Sequence, residues 1–375
     1  MTEKELREIK RRFRPEKSNV PRIVGCFVNG VGEVIAKISQ SLTLNDTLLN
    51  EKLLSVMKKS LSGSLGTNLT DISFSTKQVL ESEQHKLLTK LWKSGLSDAD
   101  ALDEFYSKVR ASVKFEGNYV ILLANDIYDV FSYSKDGSEA DSTEQFSYIV
   151  CSICPVKNPP EELSFREADS LFHLFSPTSV LCSPEIGFMF PTFDDRRTNI
   201  YNALFYTRSL SASYPEFEQL IFDSEAKMPP VAQKSAFSDC LTEPLAEECS
   251  LDVVRSVHAQ VAQMIEEKKE ARDPEPLLIT KATVKTMLEG CGVADEKIER
   301  VAEAFDESFG KNAQVAPKNI VASNKFEIET PQVKIKVDPE YSDMVTTQVI
   351  NNVKYLMIRV DGGVSVNGIN IKIDD

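Results

Sequence analysis

Two nearly apolar runs decide the fold: residues 118–130, NYVILLANDIYDV, and residues 146–156, FSYIVCSICPV. Both runs are rich in β-branched and aromatic residues, and the first begins almost continuously apolar, as buried strands do. The polar run 134–145 between them has the composition of a loop. The pattern therefore predicts a long β-hairpin over 118–156 with a loop at its tip.

Shorter elements flank this hairpin. Residues 22–29 and 33–40 enclose a Gly-Val-Gly turn and predict an N-terminal hairpin. Residues 185–193 and 198–207 predict two further strands. Helical spacing of apolar residues predicts helices in four segments: 3–12, 48–61, 76–93 and 97–114. The fold class is therefore α+β, with a body over 1–226 made of hairpin and helices in 1–116 and a β-rich part in 117–226.

The remainder of the chain has two parts with different predicted secondary structure. Residues 227–315 begin as a proline-containing linker and continue as predicted helices at 250–269, 280–289 and 295–309. Residues 316–375 alternate apolar and polar side chains between turn signals, of which Asn367-Gly368 is the strongest. We therefore expect a helical region over 227–315 and a small C-terminal antiparallel β module over 316–375.

Composition narrows the class of protein. The chain has 375 residues and a net charge of −14, from 57 acidic and 43 basic residues. No segment approaches the roughly 18 consecutive apolar residues of a membrane span, and the charged N-terminus lacks the apolar stretch of a signal peptide. The 7 scattered cysteines suit reduced thiols rather than a disulfide framework. We therefore expect a cytoplasmic protein that makes no membrane contact.

One set of charged residues is a candidate metal-binding or anion-binding site. Two carboxylates near the end of the first long strand and four charged residues between two later strands would suit a divalent metal or a bound anion. These residues are Asp126, Asp129, Asp194, Asp195, Arg196 and Arg197. The alternative, which we favour, is that they pair with one another and form ordinary turns.

A second candidate lies at the N-terminus, where basic residues surround Phe13. The segment concentrates Lys10, Arg11, Arg12, Arg14, Lys17 and Arg22 within an acidic chain. Such a concentration could contact RNA phosphates or an acidic partner. The favoured alternative is a solvated helix face whose charge is balanced by nearby glutamates.

The remaining reactive residue types are sparse. Cys151 and Cys154 form a C-x-x-C motif, but they lie within a predicted strand and are expected to pack in the core. His85, His173 and His258 are expected to be solvated or structural. No nucleotide loop, nucleophile elbow or zinc-protease motif is present, and no cofactor is evident.

Several segments resemble a bacterial family known as domain of unknown function 4317, over essentially the whole chain and in the same order. The resemblance implies a full-length, intracellular bacterial protein, found mainly in Gram-positive anaerobes, and transfers no catalytic residue. It rests on residues 9–17 (IKRRFRPEK), 22–29 (RIVGCFVN), 61–66 (LSGSLG), 117–123 (GNYVILL), 153–156 (ICPV), 184–188 (PEIGF) and 364–368 (VSVNG).

Three hypotheses about function follow, and the first is favoured. The protein is a non-enzymatic cytosolic binding or regulatory protein that uses the C-terminal β module for protein contacts. Alternatively, it is an RNA- or ribosome-associated factor that uses the basic N-terminal segment. The third hypothesis, a metal-dependent hydrolase using Asp126, Asp129, Asp194 and Asp195, ranks last.

Overall fold

A computed structural model describes residues 1–43, 46–133, 139–175, 178–271, 277–321, 325–366 and 369–371. The chain divides into two compact units, the first formed by Met1–Pro229 and the second beginning at Pro230. The finer division of the second unit at residue 316 stays a prediction.

The first unit contains six helices and twelve strands among its described residues. The helices are α1 (Glu3–Arg12), α2 (Thr47–Lys59), α3 (Thr76–Glu81), α4 (Glu83–Lys93), α5 (Ala99–Ser112) and α6 (Pro215–Phe222). The strands are β1 (Arg22–Val28), β2 (Val34–Ser41), β3 (Leu69–Ser73), β4 (Tyr119–Tyr133), β5 (Glu139–Lys157), β6 (Glu162–Arg166), β7 (Leu171–Phe175), β8 (Val180–Leu181), β9 (Ile186–Phe190), β10 (Thr192–Asp194), β11 (Arg197–Asn199) and β12 (Asn202–Thr207). The α+β class is confirmed.

One large antiparallel sheet organises this unit. Its strand order is β2-β1-β4-β5-β9-β12-β3, with β8 attached to β5. Helices α1 and α2 bury Leu6, Ile9 and Met57 against one face, and α4, α5 and α6 cover the other face. Because both faces of the central strands are covered, β4 needs apolar residues at consecutive positions, which explains the run at 119–124.

The long hairpin is confirmed, but the predicted loop at its tip was too long. Strand β4 pairs with β5 from Tyr119↔Pro155 to Tyr133↔Glu139. Residues 139–145 are therefore strand, and 134–138 lie outside the described residues. Polar composition predicted a loop there because it does not distinguish a solvated strand from a turn when cross-strand pairing supplies the hydrogen bonds.

Two predicted strands are each broken in two. Residues 185–193 divide into β9 and β10 at Pro191, which follows a cis peptide bond and has no N–H for the ladder. Residues 198–207 divide at 200–201, and only β12 belongs to the large sheet. The outer halves, β10 and β11, form their own hairpin.

The second unit contains α7 (Pro230–Leu245), α8 (Leu251–Ala271), α9 (Lys281–Glu289), α10 (Asp295–Phe309) and α11 (Pro317–Ile320). Its strands are β13 (Phe326–Glu329), β14 (Lys334–Val337), β15 (Val345–Ile350), β16 (Val353–Ile358), β17 (Val364–Val366) and β18 (Ile369–Ile371). Short 3-10 helices occupy Ala246–Glu248 and Pro339–Met344. The expected helices at 250–269, 280–289 and 295–309 correspond to α8, α9 and α10.

The C-terminal strands form three separate antiparallel pairs: β13-β14, β15-β16 and β17-β18. Asn351 and Asn352 have φ of 49° and 63°, the left-handed pair that a two-residue hairpin turn requires. The strands on either side of Asn367-Gly368 pair as expected, while those two residues lie outside the described residues.

Several elements were not among the expectations from the sequence: strands β3, β6, β7 and β8 and helices α6, α7 and α11. Helix α7 occupies part of the expected linker, and Phe237 and Leu245 on it are buried in the core of the second unit. The β6–β7 hairpin occupies 162–175, and its strands pair only with each other among the described residues.

We expect Gly25→Ala to destabilise the first unit strongly. A Cβ at Gly25 would lie 2.1 Å from the Ile121 carbonyl oxygen of β4, a backbone atom that cannot move without disturbing the sheet. Overpacking of this kind costs about 1–3 kcal/mol or more. Urea denaturation measures the change, with Gly362→Ala as a control because no atom lies within 4 Å of its added Cβ. Equal stability of the two variants would contradict the prediction.

Candidate functional site

The N-terminal helix α1 brings the two candidate charged groups together. Thr2 caps the helix in a capping box with Glu5. Lys10, Arg11 and Arg12 occupy the last turn, where their positive charges interact favourably with the helix dipole. Leu6 and Ile9 are buried against the sheet. The polar side of α1 consequently lies beside the end of β4 and the β10–β11 hairpin.

Arg12 and Asp126 form an ion pair across this junction. Arg12 Nε lies 3.1 Å from Asp126 Oδ2, and Arg12 Nη2 lies 3.4 Å from Asp126 Oδ1. Tyr148 Oη donates to Oδ2 at 2.9 Å, and the Asn19 backbone N–H donates to Oδ1 at 2.9 Å. The Arg12 guanidinium also lies over the Tyr128 ring, 5.1 Å from its centre.

The Asp126 carboxylate is therefore fully engaged. It is 1% exposed, and each of its oxygens accepts two hydrogen bonds. A buried charge needs such partners, because an unpaired one is strongly destabilising. Burial, with the negative charge of Asp126, raises the pKa of Tyr148 well above its ordinary value. The geometry is that of an anchor between the N-terminal segment and the sheet.

A second ion pair lies beside the first. Arg196 Nη1 lies 3.0 Å from Glu8 Oε2, and the Arg196 backbone N–H donates to Glu5 Oε1 at 3.2 Å. Tyr128 Oη also donates to Glu8. Burial, together with this hydrogen bond, raises the pKa of Tyr128 to about 12. We call Glu8, Arg12, Asp126, Tyr128, Tyr148 and Arg196 the α1 polar cluster.

Residues 194–197 form the turn of the β10–β11 hairpin. Asp195 and Arg196 have φ of 48° and 58°, and Asp194 pairs with Arg197 across the turn. Asp194 Oδ2 accepts hydrogen bonds from Thr192 Oγ1 at 2.9 Å and Asn199 Nδ2 at 2.7 Å. Burial opposes ionisation of Asp194, but its hydrogen bond with the Met1 ammonium lowers the pKa. Asp195 and Arg197 are exposed.

The candidate acids do not converge. Asp126 and Asp129 are three residues apart on β4, so they face opposite sides of the strand. Asp129 is exposed and accepts from Gln145 Nε2 at 3.1 Å. Asp126 pairs with Arg12, and Asp194 with Met1. Within the described ranges, no group of three His, Cys, Asp or Glu residues is placed to hold a metal ion.

The basic N-terminal segment contains two arginines that bind within the fold, one half-buried lysine and three exposed cations. Arg12 binds Asp126, and Arg22 Nη2 donates to the Leu96 carbonyl at 3.2 Å, so both serve the fold. Lys10 is half-buried; burial lowers its pKa, and it shares this surface with Lys58 and Arg7.

Three exposed cations of the segment contact no partner within the described part of the chain. Among the described residues, the exposed side chains of Arg11, Arg14 and Lys17 have no hydrogen-bond or ion-pair partner. We call these three residues the free basic set.

The cysteines and histidines have structural surroundings. Cys151 and Cys154 are both buried on β5, which confirms the expected core packing, and they face opposite sides of the sheet. Burial raises the pKa of Cys154 to about 12. His85 is buried between Phe74 and Phe190, with Nε2 2.9 Å from the Ile200 carbonyl oxygen.

The other two histidines are also partnered. His173 Nε2 lies 2.7 Å from Asp169 Oδ2, and the ring of His258 meets Phe326 edge-on.

One buried acid gave no signal in the sequence. Glu218 on α6 is 4% exposed, and burial raises its pKa to about 7. An open groove of about 550 Å³ along α6 is lined by Pro215, Gln219 and Ser224, among other residues. Acidic composition alone does not identify such a group, because its burial depends on how α6 packs on the sheet.

These observations define an α+β protein whose central antiparallel sheet carries helices on both faces and whose candidate charges are largely paired internally. No helix in the described parts of the chain is long and apolar enough to cross a membrane. The chain belongs to the family described as Domain of unknown function (DUF4317), whose family model matches residues 1–369. No curated protein and no solved structure matched the chain.

We expect Asp126→Asn to destabilise the protein by about 3–5 kcal/mol, because it leaves the Arg12 guanidinium without its buried counter-charge. Chemical denaturation monitored by circular dichroism measures the loss. Asp129→Asn is the matched control, since Asp129 is an exposed carboxylate on the same strand. A combined Arg12→Gln/Asp126→Asn variant should lose less than the sum of the single losses. Additive losses would show that the two groups do not interact.

Proposed function

We propose that this is a non-enzymatic cytosolic binding protein, and that its C-terminal β15–β16 hairpin takes up an extended segment of a protein partner. Four apolar residues support the proposal: Ile350, Val353, Tyr355 and Met357. The register pairs Ile350 with Val353 and places Tyr355 and Met357 on the same face. Each is between 38% and 51% exposed.

The hairpin is suited to strand addition. Among the described residues, β15 and β16 pair only with each other, so each has an edge without a neighbouring strand. An extended peptide can add to such an edge through main-chain hydrogen bonds, while apolar side chains give specificity. A contiguous exposed apolar face is a common mark of an interaction site.

The lysines of the preceding hairpin, β13–β14, are already paired with glutamates of the same hairpin. Lys334 Nζ lies 3.1 Å from Glu329, and Lys336 Nζ lies 3.1 Å from Glu327. The proposed contact is therefore driven by apolar burial rather than by the lysine-bearing strand.

A photo-crosslinking experiment tests the proposal. The full chain carries p-benzoylphenylalanine at position 355, on the proposed face, or at position 349, on the other face of the same hairpin. In native lysate we expect one discrete protein adduct from position 355 and none from position 349. Mass spectrometry then identifies the partner. No adduct, or the same adducts from both positions, would count against the proposal.

Binding measurements with the partner identified in this way, in purified form, give the magnitude of the effect. Met357→Glu places a charge on the proposed face, and we expect it to weaken binding roughly tenfold or more, as loss of a central contact does. Val349→Glu is the matched control on the opposite face. Isothermal titration calorimetry with full-length variants measures both.

A second candidate function is RNA association, which the free basic set favours. Arg11, Arg14 and Lys17 are exposed within one short segment, and Lys58 of α2 adds a cation beside Lys10. Clustered cations bind nucleic-acid phosphates even on a protein of net negative charge.

We expect Arg11→Glu/Arg14→Glu/Lys17→Glu to abolish salt-sensitive binding to a fluorescent single-stranded RNA. Loss of three phosphate contacts should reduce the slope of log affinity against log salt by about 2. Lys52→Glu/Lys77→Glu/Lys93→Glu is the control, because it changes net charge equally at three dispersed exposed lysines. Binding that ignores both salt and the first variant would end this hypothesis.

The metal-dependent hydrolase gains no support from the geometry. Its acids Asp126 and Asp194 are bonded to separate cations, and Asp129 faces away from Asp126. We therefore keep it as the last of the three hypotheses.

A further inference from the structure

The β6–β7 hairpin presents apolar side chains to solvent. Leu163 and Phe165 of β6 lie opposite Leu174 and Phe172 of β7, so all four occupy one face. They are between 52% and 75% exposed. An isolated two-stranded hairpin is marginally stable, and three or more strands are the usual requirement. The hairpin therefore favours the addition of further strands.

Strand β6 has a free edge with a self-complementary sequence. Among the described residues it pairs only with β7. Its five residues are Glu162-Leu163-Ser164-Phe165-Arg166. If a second β6 pairs antiparallel about Ser164, Glu162 of each copy faces Arg166 of the other. Leu163 then faces Phe165, and Ser164 faces Ser164.

We propose that two copies of this chain associate by antiparallel pairing of β6 with β6, around a two-fold axis at Ser164, to form a four-stranded sheet. The arrangement is isologous and closed, so it makes a dimer and not a fibre. Opposite-charge and apolar–aromatic cross-strand pairs both stabilise a sheet. Outside the axis, the register gives opposite-charge pairs at 162 and 166 and apolar–aromatic pairs at 163 and 165.

The other free edge gives a poorer match. Pairing β7 with β7 about His173 would place two histidines opposite each other and no opposite charges together. Pairing β6 with β7 of another copy would leave Glu162 and Arg166 without charged partners and would not close. The charge order of β6 therefore selects the β6–β6 pairing.

The internal partner of Arg166 does not prevent this contact. Arg166 Nη1 lies 3.8 Å from Asp169 Oδ2, and both side chains are partly exposed. An ion pair of this kind contributes little. Five paired residues bury less than the roughly 1,200 Å² of a stable interface, so the association should be weak and concentration-dependent.

A charge exchange tests the register. Sedimentation velocity of the full chain, from micromolar to near-millimolar concentration, should show a reversible dimer. Glu162→Arg places two arginine pairs at the interface and should weaken the dimer roughly tenfold. Glu162→Arg/Arg166→Glu restores opposite charges and should restore the dimer. Glu167→Arg, in the turn outside β6, makes the same charge change and should leave it unaffected.

A disulfide gives an independent measurement. Directly opposed residues of antiparallel strands have Cα atoms about 4.5–5.5 Å apart, within disulfide range. Ser164→Cys should therefore form a 164–164 crosslink under mild oxidation, whereas Glu167→Cys should not.

Three results would overturn the proposal: a monomer at all concentrations, a double variant as weak as Glu162→Arg, or absence of the 164–164 crosslink.

Discussion

The burial of the inner part of the β4–β5 hairpin, residues 119–126 and 146–154, on both faces is the constraint on which the rest of the first unit depends. An antiparallel sheet commonly leaves one face to water, but here helices cover both. The central strands must consequently be apolar on both sides, and polar groups enter only where they find partners. Ser152 illustrates this rule, since its buried hydroxyl lies 2.7 Å from that of Ser60. Cys151 and Cys154 are buried in the same region, where they pack as small apolar side chains.

The pairing of charged side chains at the edge of the core follows from the same constraint. Where β4 leaves the core, Asp126 is still buried, and the nearby end of α1 supplies the guanidinium that neutralises it. Glu8 and Arg196 repeat the arrangement beside it. A group of acids and arginines that suggests a reactive site is thus occupied in holding the N-terminal helix on the sheet. Arg11, Arg14 and Lys17, which have no partner among the described residues, are exposed to solvent.

The apolar residues that the cores do not absorb are concentrated on hairpins. The β6–β7 and β15–β16 hairpins each carry several exposed apolar side chains and free strand edges among the described residues. Their edges differ, because β6 carries charges in a self-complementary order and β15–β16 does not. This difference is the reason why we propose a contact between identical copies at β6 and a contact with another protein at β15–β16.

The sequence by itself determined the strands of the long hairpin, the α+β class and the helices α8, α9 and α10, because these depend on the local periodicity of apolar residues. It also located the charged residues, but not their roles. Arg12 and Asp126 are 114 residues apart in the chain, and only packing of α1 on the sheet makes them partners. Likewise, the free edge of β6 and the exposure of its apolar face depend on which strands the fold places beside it. The local sequence pattern indicates which interactions a side chain can make, whereas its burial and its neighbours in the fold decide which of them it makes.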